Sequence, residues 1–334
     1  MGRYLARRLL QFIPVVLGTL FLLHYLSVLS IQFNGDPIRA LFGDRPPPDA
    51  VLQAMRARFG LDDPCLDTRG NPCLGMFLDR VGDYARLDFG IDFRGREITD
   101  IVVQRFPITL RLTAIALIFE AIVGIFLGVL AGLRKDKGMD NAVRVSTTLL
   151  IAFPTFVFGV IVQVFFALQI GNWLDTQPWS PLWLRNMFTP VYLSDYPWLS
   201  LVIPGLVLGS YSLASIARLT RTSLIENLRA DYVRTARAKG MAQRRVVGIH
   251  TLRNSLIPVV TYLGIDIGNL MGGALVTEGI FNIPGVGGLI FQSVRLNDST
   301  VIIAVVAILA VVFLTANLLV DIFYAVLDPR IRYE

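Results

Sequence analysis

Six stretches, roughly 9–31, 107–133, 142–170, 199–219, 256–277 and 301–327, stay apolar for about the 20 residues a helix needs to cross a hydrocarbon core of about 30 Å. Pro107 and Pro258 stand at the entrances of the second and fifth, and polar, turn-forming residues precede the third and sixth. The first run is longer than the ~7–15 residues of a cleaved leader's apolar core and lacks a small-residue cleavage site, so it reads as a retained span. Residues 31–106 are too long for a turn. After Pro46–Pro48, Asp49 opens the stripe Val51, Leu52, Met55 and Phe59, closed by Gly60, and Phe77, Val81 and Tyr84 make a second stripe. Both predict short helices in a small ordered lobe.

The segment Ser223–Pro258 has a different pattern. Leu228, Tyr232, Val233 and Ala236 recur at helical spacing, and Gly240 ends the helix as a C′ residue with Lys239 in the last turn. A second basic helix follows and runs into Pro258. A short amphipathic helix held between two spans reads as a docking element, with its stripe seated on a partner and Arg234, Arg237 and Lys239 on the rim. The candidate docking residues are Leu228, Asp231, Tyr232, Val233, Arg234, Thr235, Ala236, Arg237, Ala238, Lys239 and Gly240.

Composition agrees with a membrane protein. The 334 residues are 54% hydrophobic and 17% charged, with a mean hydropathy of +0.59, where a soluble chain carries nearer ~25% charge. The charges alternate between sides. The arm with Arg3, Arg7 and Arg8, the turn 134–144 (net +2) and the segment 218–255 (net +7) are basic, and the tail from Asp328 is neutral. Residues 31–106 hold ten basic and twelve acidic residues, and 171–198 and 278–300 each net −1. This fits six spans with both termini on the cytoplasmic side.

Within the spans, Arg111 and Asp321 lie near ends from which they can snorkel. Glu120 and Asp266 sit deeper, where a charge facing lipid costs about 2.5–3.5 kcal/mol. Three readings stay open for them: lining a pathway, pairing with each other, or facing a partner subunit. All four tryptophans, Trp173, Trp179, Trp183 and Trp198, fall in one external segment, as interfacial residues do. Between 277 and 294 the residues Gly279, Asn282, Pro284, Gly285, Gly287 and Gly288 interrupt an apolar run, and an external gate and a packed loop are equally open. Cys65 and Cys73 lie on the side where disulfides persist, and a bridge and two free thiols both stand.

No phosphate-binding G-x-x-x-x-G-K-[ST], no H-E-x-x-H, G-x-S-x-G or C-x-x-C occurs, and His24 and His250 are the only histidines. No catalytic set, metal site or cofactor site is expected. Nucleotide hydrolysis, if it drives this chain, belongs to another one.

The run Asp231-Tyr232-Val233-Arg234-Thr235-Ala236-Arg237-Ala238-Lys239-Gly240, with His250-Thr251-Leu252-Arg253-Asn254-Ser255-Leu256-Ile257-Pro258, resembles the cytoplasmic loop of the B-type permease subunit of bacterial dipeptide and oligopeptide ABC importers. Arg234-Thr235-Ala236 stands where the wider family writes E-A-A, and His250–Arg253 where it writes I-x-L-P; Gly240 is kept. The likeness extends to Arg3–Leu9, Gly35-Asp36-Pro37, Gly60–Pro64, Glu278–Gly287 and Leu327–Arg332. It implies an all-α membrane protein with six transmembrane helices in the type-1 ABC importer permease fold. Residues 1–106 would form the first span and an extracytoplasmic lobe, 107–327 five spans with the coupling loop 220–257, and 328–334 a cytoplasmic tail. The implied partners are a C-type permease in a heterodimer, two cytosolic ATPase domains that bind ATP, an extracytoplasmic substrate-binding protein and a peptide cargo, all at the bacterial inner membrane. Another cargo (nickel, haem or an amino-acid derivative) remains an alternative. A stand-alone secondary transporter would show an internal repeat and an ion-coupling cluster, and neither is visible.

Overall fold

The structure, a computed structural model, describes residues 2–35, 37–42, 48–296 and 298–327. Asp36, the Pro46-Pro47 pair and the tail 328–334 fall outside these, as do the side chains of Arg3 and Asp321. Among the described residues there is no strand, only an isolated antiparallel bridge between Ile91 and Glu97. Among the described residues six helices are long and apolar enough to cross a membrane: Arg7–Phe33, Ile98–Leu133, Thr155–Thr176, Val202–Leu228, Ile257–Ile280 and Ser299–Val320. The chain divides into two compact units, the first 107 residues with the segment from Gly288 onward, and Ile108–Gly287.

The first unit contains α1 (Gly2–Asn34), α2 (Pro37–Phe42), α3 (Asp49–Arg58), a 3-10 turn (Pro64–Asp67) and α4 (Leu74–Ala85). It also takes the start of α5 (Ile98–Leu133), and in a later part of the chain α16 (Ser299–Leu327), which packs along α1. The described part of the predicted lobe carries these short helices and is fastened to α1. Cys65 and Cys73 are joined in a disulfide, and the loop between them docks on Gln32, whose amide donates to Asn71 O (3.0 Å) and accepts from Gly70 N (2.8 Å). His24 is buried, its Nε2 3.1 Å from Pro72 O. That contact makes Nε2 the protonated nitrogen and leaves Nδ1 to accept from Arg80 at 3.3 Å. Leu52 is the buried residue of the α3 stripe, and Phe77 of the second stripe packs edge-on against Phe21.

The second unit follows α5 with α6 (Gly138–Ala152), then α7 (Thr155–Val162), which continues through a π-helical stretch (Gln163–Ile170) into α8 (Gly171–Thr176) and α9 (Leu182–Met187). The long helix α10 (Val202–Leu228) precedes α11 (Asp231–Ala238), α12 (Gln243–Arg245), a π turn (Val246–Thr251), α13 (Leu252–Ser255) and α14 (Ile257–Ile280). A last helix, α15 (Val286–Arg295), begins at the unit's end. Helix α10 is the unit's hub. Two-thirds of its apolar window (67%) is buried, against 17–33% for the other five spans, and it packs on α14, α6 and α7. It meets α5 along a seam of small residues. A Cβ on Gly124, Gly128 or Gly132 would strike Ile216, Thr220 or Leu224, and one on Gly205 or Gly209 would strike Ile115 or Ala116. Spans lack a hydrophobic drive toward each other within lipid, so close backbone approach of this kind supplies the attraction.

Three boundaries differ from those read in the sequence. The third apolar run is not one helix: it breaks at Phe153-Pro154, and the span starts at Thr155. Pro154 has no amide to donate and forces Phe153 into the extended conformation (φ −83°, ψ 131°). Pro107 does not open the second span. It lies inside a 36-residue helix that starts at Ile98, because Ile98, Ile101 and Val102 already form a buried helical face. Helix α10 runs on to Leu228, well past 219, so its basic end is a continuation of the span.

Candidate coupling surface and buried polar sites

Helix α11 is made by its sequence and closed by its C-terminus. Asp231 in the first turn and Arg237 in the last complement the helix dipole. Gly240 N donates to Arg237 O (2.9 Å) and Met241 N to Ala236 O (3.3 Å), the paired bonds of a Schellman cap. Gly240 has φ +74°, which only glycine adopts without strain, and Met241 packs on Val233, Ala236 and Val246 as the cap's apolar contact.

The apolar stripe points elsewhere than the sequence suggested. Val233 (0% exposed) and Ala236 (7%) turn inward against Val246 of the same chain, and Leu228, half-buried, ends α10. They seat the helix, and the surface left open is polar. Asp231, Tyr232, Arg234, Thr235, Arg237, Ala238, Lys239 and Gly240 are exposed. Arg234 pairs with Asp231 at 3.1 Å in full solvent, a bond worth little, and Tyr232 donates to Asn227 Oδ1 at 2.6 Å.

The mount is stiff. Only Arg229 and Ala230 separate α10 from α11. Asn227 donates to Ser223 O (2.9 Å), and the buried Ser255 of α13 bonds Thr251 O (2.8 Å) and lies 3.4 Å from Ser223 O. At the start of α6, Asp140 is completely buried and receives Arg221 of α10 through two bonds of 2.6 Å. The hydrogen bond from Arg221 holds its carboxyl at about 2, well below the usual carboxylate range.

At the opposite end of α14 the glycine-rich stretch proves closely packed. α14 runs through Gly279 to Ile280, and Gly287 and Gly288 are helical in α15. The left-handed residue is Asn282 (φ +49°). Gly285 and Gly287 are small for another reason: a Cβ on Gly285 would collide with the carboxylate of the fully buried Glu278, and one on Gly287 with the backbone of Leu275. Thr109 of α5 donates its hydroxyl to that carboxylate at 2.6 Å and accepts from Val286 N at 3.0 Å, and Gln163 donates to Ile280 O at 2.7 Å. Pro284 therefore sits in a tied corner, with Phe281 and Ile283 buried on either side of Asn282.

Glu120 and Asp266 come together in the second unit, their side chains within hydrogen-bonding reach of each other. Both are buried, at 0% and 1% exposed. Asp266 Oδ1 accepts from Asn269 at 3.2 Å, while among the described residues Asp266 Oδ2 and both oxygens of Glu120 are reached by no N–H or hydroxyl donor, so a hydrogen bond between the two carboxyls needs a proton on one of them. Asp266 lines a cavity of about 270 Å³ with Thr155, Tyr211, Ser212, Tyr262 and Asn269. The four tryptophans are all exposed, and Trp198 lies under the Arg111 guanidinium at 6.0 Å.

Glu278, Thr109 and the Asp140–Arg221 pair were not singled out in the sequence. Glu278 lies one residue past the predicted span, and Asp140 sits in a turn whose net charge is positive. The usable signal was an acid flanked by glycines seven and nine residues on, and G-x-x-x-G spacings at 124–132 and 205–209.

Residues 124–333 match the family described as binding-protein-dependent transport system inner membrane component. Over their full lengths the chain and the glutathione transport system permease protein GsiC of Escherichia coli K12 are 34% identical across 337 aligned residues. The dipeptide transport system permease protein DppB of Alkalihalophilus pseudofirmus is 33% identical over 343, covering 99% of each chain.

Proposed function

The chain belongs to the binding-protein-dependent transport inner membrane component family, and from that premise we propose that it carries peptides inward as one half of a permease pair driven by separate ATPase chains. As a member it is a multi-pass permease subunit of an ABC importer, with the six-span helical fold of that class. The peptide cargo is our reading, supported by the names of its relatives, one a glutathione and one a dipeptide permease. So are the C-type partner, the external binding protein, the cytoplasmic placement of both termini and the absence of catalysis in this chain.

The observation that carries the reading is the construction of α11. It is short, capped at its C-terminal end, held down by its own apolar side and left with a polar, solvent-facing surface. In the proposed cycle, ATP-driven closure of the ATPase chains displaces α11 as a rigid body. Two residues of linker leave little slack, so α10 follows, and with it α6 through Arg221–Asp140 and α5 through the glycine seam. That is a hinge-and-shear movement of packed helices. The Glu278 corner, with Asn282, Pro284, Gly285 and Gly287, keeps the external end of α14 in one piece during the stroke, a brace in place of a flexible gate. The test is purification of the tagged chain from its native membrane, followed by reconstitution. Co-purifying ATPase chains and ATP-dependent peptide uptake are expected, and uptake by this chain alone overturns the proposal.

A further inference from the structure

Resting on the reading that this chain lines a peptide path, we infer that the cavity between α10 and α14 is the half-site for the protonated amino end of the cargo, with Asp266 as its anchor. Asp266 is 1% exposed, lines the cavity and has one oxygen that no N–H or hydroxyl of the described residues reaches, its near neighbour being the Glu120 carboxyl. A buried acid faced by another acid lacks a positive donor, so such a pair marks a place that a ligand's N–H groups complete. The rest of the wall tells what kind of ligand. Thr155, Tyr211, Ser212, Tyr262 and Asn269 bring hydroxyls and an amide, and no arginine or lysine lines it.

A cargo carboxylate would meet no positive charge there and would face Asp266. An ammonium would meet a carboxylate and several neutral oxygens, which suits its three N–H donors. Glu120 strengthens the case. It lies against Asp266, wholly buried, within hydrogen-bonding reach of it and with no basic side chain donating to either oxygen, so no cation among the described residues neutralises the pair. Size limits the occupant to one end of a peptide: about 270 Å³ is below the ~300–1,000 Å³ of pockets that enclose a whole drug-sized ligand. The carboxylate end is left for surfaces outside this cavity.

The assembled complex in lipid nanodiscs, without binding protein, is dialysed against labelled dialanine and, separately, N-acetyl-dialanine. The wild type should hold the free-amine peptide at least ~10-fold more tightly, the low end for a charge-assisted hydrogen bond. Asp266→Asn should bring the ratio near one, and Asp266→Asn with Asn269→Asp should restore it. Asn269→Asp alone should raise the ratio, which keeps the test alive if the first variant does not assemble. A wild-type ratio of one, or a ratio unmoved by Asp266→Asn or by Asn269→Asp, overturns the site. ATP-driven dialanine uptake by the complete importer is measured beside it. Uptake with an unmoved ratio overturns the site alone, whereas a wild type that imports no peptide overturns the peptide reading and the site together.

Discussion

Arg221 closes on Asp140 through two hydrogen bonds of 2.6 Å, and the acid is completely buried. The pair joins the end of α10 that leads into α11 to the start of α6, so in the proposed cycle it sits where a push on α11 first enters the bundle.

Removing one member should therefore uncouple and destabilise at once. Asp140→Asn leaves a guanidinium facing a neutral amide, at a cost on the order of 3 kcal/mol for a buried pair broken on one side. Arg221→Lys loses the two-pronged geometry and should cost less. Thermal unfolding of the purified complex checks the order. The sign with pH is fixed by the depressed carboxyl. Its stabilisation is whole above about 4, the ordinary value, and is lost as pH falls toward the folded value of about 2. Unfolding between about pH 5 and 8 should show no pH dependence from this pair.

Gly240→Val should leave insertion intact and abolish the stimulation of ATP hydrolysis by loaded binding protein. The position has φ +74°, and no atom lies within 4 Å of the point a Cβ would occupy, so conformation and not crowding forbids a side chain. The left-handed conformation costs an L residue about 1–2 kcal/mol, enough to open the cap and let α11 fray. Gly240→Ala should fall between. Stimulated and basal ATPase rates, compared in proteoliposomes, decide it; full stimulation in the valine variant would exclude α11 as the coupling element.

At the other end of α14, Gly285→Ala should be more damaging than Thr109→Val. The alanine would drive a methyl into the Glu278 carboxylate, whereas the valine removes a hydrogen bond to a charged group, worth about 1.5–3 kcal/mol. Both variants should lower the melting temperature of the complex.

Cys65 and Cys73 close a loop with a sequence separation of 8, which by chain entropy stabilises the lobe by about 2–3 kcal/mol. Replacing both by serine should leave the spans assembled and make 60–74 the first site of proteolytic nicking. Mass spectrometry of the unreduced protein should show the bridge directly.

The six spans were legible because a bilayer demands apolar length, and α11 because its stripe and Gly240 agree on one helix. What escaped the sequence depended on three-dimensional company. Val233 and Ala236 could be assigned to a face but not to an occupant of that face, and the occupant is Val246 of the same chain. Pro107 and Pro154 look alike in the sequence, yet only Pro154 breaks its helix, since Ile98, Ile101 and Val102 extend α5 beyond Pro107. The partners of Glu278 and Asp140 lie 169 and 81 residues away, beyond any local pattern.

The seam of glycines between α5 and α10 has a mechanical consequence. With backbone against backbone at Gly128 and Gly209, neither rod can twist past the other without a clash. The two form a single girder, and whatever opens or shuts this half of the passage must tilt both together.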